Sequence, residues 1–176
     1  MRLFIGIFLN SKEIESNYKK IQKIFSDSLT GKWVELNNLH TTLHFLGDFP
    51  DEEVPHLKDM LKEYLIEYND TLTIQDINFF RNFRHPKQMI LQVHNPSKQM
   101  LGVREAIKAL FKEQKISYQK EPFIPHTTLV RIKSITPDFE KVYQRNKGFE
   151  LGTISKYNIN LIQSTLTQTG PIYTIL

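Results

Sequence analysis

The sequence predicts an α+β protein of two pseudo-symmetric lobes, each an antiparallel-rich sheet with outer helices, flanking a central cleft. Three observations lead there. The tetrapeptide His-Thr-Thr-Leu occurs twice, at His40–Leu43 and His126–Leu129, 86 residues apart in a chain of 176. Each copy is β-branched and followed by apolar residues, which favours a strand over a helix. Around each copy the chain reads strand, helix, His-x-Thr strand, helix, strand. A strand starting near Arg2 precedes His40 by 38 residues, and one starting near Gln88 precedes His126 by the same number.

Leu3–Leu9 is a near-continuous apolar run, the pattern of a strand covered on both faces. Asn10 with Glu13 offers a capping pair, and Ile14, Tyr18, Ile21 and Phe25 follow at helical spacing. Asp27–Lys32 reads as a loop and Trp33–Leu36 as a short extended piece before the first His-x-Thr strand, which runs to about Leu46. Gly47–Asp51 is a turn. Val54, Leu57, Leu61, Tyr64, Leu65 and Tyr68 make the apolar stripe of a second helix. Strands are expected at Leu72–Phe80 and Gln88–Val93, joined by a basic loop at Arg81–Lys87. Asn95-Pro96 opens a third helix, with Met100, Val103, Ile107 and Leu110 inward. The second His-x-Thr strand spans Ile124–Ile132. Thr136-Pro137-Asp138 opens a fourth helix carrying Phe139, Val142 and Tyr143. Phe149–Thr165 and Tyr173–Leu176 alternate as strands, with Gly170-Pro171 as a turn.

At 40% hydrophobic and 24% charged residues, the composition is that of an ordinary globular chain. No run of 18 apolar residues occurs, so no membrane helix is expected. The N-terminal apolar run stops at Asn10 without a small-residue cleavage site, which favours a buried strand over a signal peptide. Zero cysteines exclude disulfides, thiolate metal sites and a cysteine nucleophile, and fit a cytoplasmic setting. The net charge of +4 suits a polyanionic partner.

In a strand, residues i and i+2 share a face. His40 with Thr42, and His126 with Thr128, therefore each present an imidazole and a hydroxyl about 6–7 Å apart along the backbone. Two such strands facing one pocket would supply a base for an attacking water and an acid for a leaving oxygen. The threonine hydroxyls would donate to phosphate oxygens. A lone strand histidine is usually structural. Core packing, however, has no reason to repeat His-x-Thr in both halves.

These motifs resemble those of the 2H phosphoesterase superfamily, and more narrowly the RNA 2′,3′-cyclic phosphodiesterases, formerly called 2′-5′ RNA ligases. The likeness covers nearly the whole chain: Arg2-Leu3-Phe4-Ile5, Trp33-Val34, Asn38-Leu39-His40, Pro122 to His126, Arg131, Ser164-x-Leu166 and Gly170-x-x-Tyr173. Two stretches depart from it. Asn78-Phe79-Phe80-Arg81 replaces a common Gly-Phe-Pro, and Met89-Ile90-Leu91 lacks a usual tryptophan. The resemblance implies hydrolysis of RNA 2′,3′-cyclic phosphate ends to 2′-phosphomonoesters by one domain spanning residues 1–176, without cofactor or metal. His126 would be the base toward water and His40 the acid toward the 3′-oxygen. RNA 3′ ends or small cyclic-phosphate nucleotides would be the partners of a monomer. Alternatives are another 2H activity (a 2′,5′-oligonucleotide phosphodiesterase, a small cyclic-nucleotide hydrolase or a weak 2′-5′ ligase) or a non-catalytic RNA-binding module.

Other residues carry weaker expectations. His44, two residues beyond Thr42, should share the face of His40 and so could meet a neighbouring phosphate or base of a longer substrate. Its spacing from His40 suits a metal only on a helix, and no companion glutamate is present. Arg131 matches an arginine of the family motif. Strict alternation puts it on the face opposite His126, so contact with a phosphate would require a bulge or a strand end there. Phe45 and Phe49 could stack on a base, but Phe45 alternates onto the buried face, which favours core packing. Trp33 either lines the cleft or plugs a lobe. His56, His85 and His94 take no role.

Overall fold

The apolar runs flanking each histidine are long enough to bury one face of a sheet, and they organise two sheets. In the computed structural model, which describes residues 1–176, the chain runs β1 (Arg2–Phe8), α1 (Lys12–Phe25), β2 (Leu29–Trp33), β3 (His40–Asp48), α2 (Val54–Leu61), β4 (Glu67–Tyr68), β5 (Leu72–Phe80), β6 (Gln88–His94), α3 (Gln99–Glu113), β7 (His126–Ile135), α4 (Phe139–Asn146), β8 (Glu150–Ile154), β9 (Tyr157–Asn158), β10 (Asn160–Thr167) and β11 (Gly170–Ile175). One sheet has the order β11-β10-β1-β3 and the other β2-β7-β6-β5-β8, with a small β4-β9 ribbon beside them. Every pairing is antiparallel.

The expected α+β architecture with two antiparallel lobes is present, but the lobes are not sequence halves. β2 leaves the first half to pair with β7, and β10–β11 return to pair along β1. Each crossing covers a sheet edge that would otherwise expose unpaired backbone groups. The helices are exchanged too. α1 buries Ile14, Tyr18, Ile21 and Phe25 against the β7-containing sheet, where Asn17 Nδ2 donates to Leu151 O at 3.0 Å. α3 buries Met100, Arg104, Ile107 and Phe111 beneath β3, where the Phe111 ring meets His44.

Several element boundaries differ from the sequence reading. The helix that starts at Val54 ends at Leu61, not near Tyr68. Tyr68 belongs instead to β4 and stacks on Tyr157 at 5.6 Å, so the apolar spacing continued past the helix for another purpose. The expected loop at Asp27–Lys32 contains most of β2, a polar strand whose side chains are largely exposed. α3 begins at Gln99, after Lys98 at φ 61°. Asn95 caps it from a distance, its Oδ1 accepting from Met100 N at 2.9 Å. The cap of α1 is Ser11, whose Oγ accepts from Ile14 N at 3.1 Å. No helix is long and apolar enough to cross a membrane.

Candidate active site

β3 and β7 approach each other where the two sheets meet, and both carry the same backbone irregularity. In the β1–β3 ladder Gly6 pairs with Thr42 and Ile5 with His44, skipping Leu43. In the β6–β7 ladder Ile90 pairs with Thr128 and Met89 with Val130, skipping Leu129. Each is a β-bulge three residues after its histidine, and a bulge reverses the in–out alternation beyond it.

The bulges decide which side chains reach the cleft. His40 and Thr42, before the first bulge, face inward, as does Thr128 on the partner strand. After the bulges the faces exchange. Arg131 therefore comes onto the cleft side with Thr128, which meets the condition its role required. Phe45 does the same on β3 and lines the cleft rather than the core. His44 goes the other way. The expectation that it shares the face of His40 is overturned: it is 2% exposed, packed between Phe111 and Tyr118 at 5.4 Å from each. Its Nε2–H donates to Arg104 O at 2.9 Å, so His44 has no route to a substrate.

The cleft encloses about 520 Å³. His40, Thr42, Thr128 and Arg131 line it together with Arg2, Trp33 and Tyr173. His126 lies on the Thr128 face of β7, near enough for its charge to act on His40. The two imidazoles are tethered in the same way. His40 Nδ1 donates to Asn38 O at 2.7 Å, and His126 Nδ1 to Ile124 O at 2.5 Å, each the carbonyl two residues upstream. A carbonyl only accepts, so both rings hold a proton on Nδ1 and leave Nε2 for chemistry. The 3₁₀ turn Leu36–Asn38 presents the first carbonyl, and Asn38 Nδ2 is itself anchored on Pro171 O at 3.1 Å.

The surroundings of the two rings differ. His40 sits among Phe4 (5.0 Å between centroids), Tyr173 (5.1 Å) and Phe8 (6.4 Å). Gly6, opposite Thr42, keeps that space open: a Cβ there would lie 2.8 Å from Thr41 O and 3.1 Å from the Phe4 ring. Burial holds His40 below the ordinary imidazole value, the Asn38 carbonyl opposes this, and the charge of His126 adds to the depression. His126 meets Phe80 edge-on at 4.7 Å. Arg2 lies 4.9 Å above the Phe45 ring. Burial raises the Tyr173 hydroxyl above the ordinary phenol value, against the opposing pull of Arg131 and Arg2. Two guanidiniums therefore converge on one wall of the cleft. Trp33 lines the cleft and also packs edge-on against Tyr18 at 6.1 Å.

Sequence reasoning gave no role to Arg2, Phe4 or Tyr173, and it assigned Phe45 to the core. Arg2 and Tyr173 stood in matched motifs. The position of Phe45 depends on the bulge, which no residue type announces. No group of three or more His, Cys, Asp or Glu side chains comes together as metal ligands would.

Paired His-x-Thr strands facing across a cationic cleft define a phosphoesterase of the two-histidine class. Comparison with known proteins agrees. The family model for LigT like Phosphoesterase matches residues 7–91. The RNA 2′,3′-cyclic phosphodiesterase of Aquifex aeolicus is 30% identical, over 100% of this chain and 95% of that protein. Its namesake in Thermotoga maritima is 26% identical, over 100% and 93%. Among solved structures, TT0787 of Thermus thermophilus matches with a TM-score of 0.76 at 25% identity, covering 100% of this chain and 95% of that one. E. coli LigT complexed with 3′-AMP shares the fold with a TM-score of 0.71 at 24% identity, over 99% and 94%. The chain belongs to the LigT-like phosphoesterase family.

Proposed function

We propose that this protein hydrolyses 2′,3′-cyclic phosphate ends of RNA, or of small nucleotides, to 2′-phosphomonoesters, with His40 and His126 as its acid–base pair. The observation that carries this reading is the matched tethering of the two rings. Each Nδ1–H is held by the carbonyl two residues back, which leaves both Nε2 atoms for proton transfer in a cleft bordered by Thr42, Thr128 and Arg131. His126 takes a proton from water as its oxygen attacks phosphorus. The P–O3′ bond breaks, and protonated His40 gives its Nε2 proton to the departing 3′-oxygen. Thr42 and Thr128 donate to the non-bridging oxygens, and Arg131 balances their charge. The names of the relatives in Aquifex aeolicus and Thermotoga maritima support the choice of RNA cyclic phosphate.

The order of the histidines has a consequence for protons. Burial works against a charged His40 in the empty cleft, whereas an anionic phosphate beside it favours the charged form. Substrate binding therefore brings a proton with it. Each lobe supplies one histidine, so residues 1–176 act as one unit and a monomer suffices.

The test is incubation with 2′,3′-cyclic nucleotides and cyclic-phosphate-ended RNA, with and without EDTA, followed by ³¹P NMR. A 2′-phosphate product formed at the same rate in EDTA is expected. No turnover, or a 3′-phosphate product, overturns the reading. Loss of activity in EDTA that a divalent ion restores overturns the metal-free scheme.

A further inference from the structure

The 86-residue offset between the two histidines extends into the helices. The buried stripe of α1 is Ile14, Tyr18, Ile21, Phe25, and that of α3 is Met100, Arg104, Ile107, Phe111. Adding 86 to each number of the first gives the second. Only at Tyr18 and Arg104 does an apolar pattern carry a polar group, and both groups go to the same place.

The residue that each bulge skips offers its carbonyl to the helix packed on that strand. Arg104 Nε donates to Leu43 O at 3.0 Å. The Tyr18 hydroxyl lies 3.2 Å from Leu129 O and 2.5 Å from Val34 O, so one proton serves both carbonyls. Burial raises the Tyr18 hydroxyl far above the ordinary phenol value, which keeps that proton in place. Each side chain also touches the segment that delivers the other histidine. Val34 lies in the stretch leading to His40. On the other side, the Arg104 guanidinium covers the Phe123 ring at 4.3 Å, three residues before His126. Tyr18 is 3% exposed and Arg104 7%.

We propose that Tyr18 and Arg104 are paired positioning residues: each fixes the bulge of one His-x-Thr strand to the chain entering the other, so that Thr128 with Arg131, and Thr42 with Phe45, hold their places in a common cleft. Neither reaches the substrate. A tyrosine does this with one shared proton and an arginine with a donor and a flat face, so the lobes keep the function while changing the residue. The effect on catalysis rests on the phosphodiesterase reading above, whereas the effect on the bulges does not.

Two measurements test it. The first is kcat/KM of Tyr18→Phe on 2′,3′-cyclic CMP, alone and in an Arg131→Ala background. Loss of one buried hydrogen bond that orients the site should cost up to about tenfold alone. It should cost clearly less once Arg131 is gone, because the hydroxyl acts through it as well as through Thr128. An equal loss in both backgrounds makes Tyr18 merely structural and overturns the proposal. Arg104→Lys, which keeps charge and stem but loses the planar fork, should show the same non-additivity with Phe45→Ala. The second measurement is amide exchange at Val34, whose N–H also donates to Leu129 O, at 2.8 Å. Exchange should quicken in Tyr18→Phe, and unchanged exchange overturns the proposal even if the wild type turns over no cyclic phosphate.

Discussion

The two His-x-Thr strands share a backbone and differ in almost everything attached to it. Both hold their imidazole by the carbonyl two residues upstream, and both bulge three residues later. Yet β3 ends its sheet whereas β7 lies inside one, between β2 and β6. The open side of β3 takes a single bond from the loop before β7, Gln119 N to Phe45 O at 2.8 Å. His40 is enclosed by three aromatic rings and His126 meets one. Beyond the bulges, His44 and Phe45 stand where β7 has Val130 and Arg131. On the mechanism proposed above, the repeated backbone would set two identical groups on opposite sides of one phosphorus. The differing decoration would let them do opposite jobs, because a displacement has one entering and one leaving oxygen.

The strongest way to break this comparison is to remove the shared groups. His40→Ala and His126→Ala should each lower kcat by roughly 10²–10⁴. The double variant should be little worse than the poorer single one if the two act on one displacement. Steady-state kinetics on a 2′,3′-cyclic nucleotide checks it. Near-full activity in either single variant would make that copy structural.

Next come the residues that the bulges bring into the cleft, which are equivalent in backbone and opposite in chemistry. Arg131→Ala should lower kcat/KM by about 10–100-fold, mostly through KM, as an arginine–phosphate contact is lost. Phe45→Ala removes the ring beneath Arg2 and should cost only a few-fold. The Arg131 variant should also lose much of the salt dependence of kcat/KM, because that dependence comes from charge. Equal losses at both positions, with unaltered salt dependence, would mean that the cleft does not discriminate between its two walls.

A gentler probe compares the free and occupied cleft. His40 is depressed by burial and by the charge of His126 in the free protein. If it is the acid, activity falls as pH rises through its value. That alkaline limb should lie at higher pH in the kcat profile, where the phosphate anion supports the charge, than in the kcat/KM profile. Limbs that coincide, or that move the other way, would mean that His40 is not the acid.

Much of this site was legible in the sequence because a repeated motif needs no tertiary information. His40, Thr42, His126 and Thr128 follow from two tetrapeptides and the period of a strand. The equal spacing of 38 residues from strand start to histidine also holds in the structure, where β1 starts at Arg2 and β6 at Gln88. The hydrogen-bond register nevertheless equates Gln88 with Phe4, the partners of Arg131 and Phe45. The equal count therefore reflects where the strands begin, not which residues correspond. What strict alternation missed begins at Leu43 and Leu129. A single unpaired residue in each strand moves Phe45 and Arg131 inward and His44 outward, and period-two reasoning has no symbol for it. The exchange of β2 and β10–β11 between sheets was hidden for another reason. Leu29–Trp33 is polar because it lies at a sheet edge, and edge strands look like loops.

The smallest expected effect belongs to His44, the one histidine that the bulge carries away from the chemistry. Its imidazole lies under β3 against Phe111 and Tyr118. Nε2–H is bound to Arg104 O, and Nδ1 is buried without a partner. Burial, and after it the charges of Arg104 and Lys108, hold it below the ordinary imidazole value, against the Arg104 carbonyl and Glu105. Between that lowered value and about 6.5 the unfolded chain binds the proton more readily than the folded one. The stability that comes from keeping the ring neutral is therefore full above about pH 6.5 and is lost as pH falls toward the folded value. His44→Leu removes this liability together with one hydrogen bond worth about 1 kcal/mol. It should leave kcat/KM within about twofold for mononucleotide and oligonucleotide substrates alike, since no substrate reaches that face. Thermal unfolding across pH 5 to 8 gives the sharper readout. The melting temperature of the variant should rise relative to wild type as the pH is lowered, while His40, present in both, cancels from the difference. A gap between the two proteins that stays constant with pH would mean that the His44 pocket accepts the proton as readily as water does.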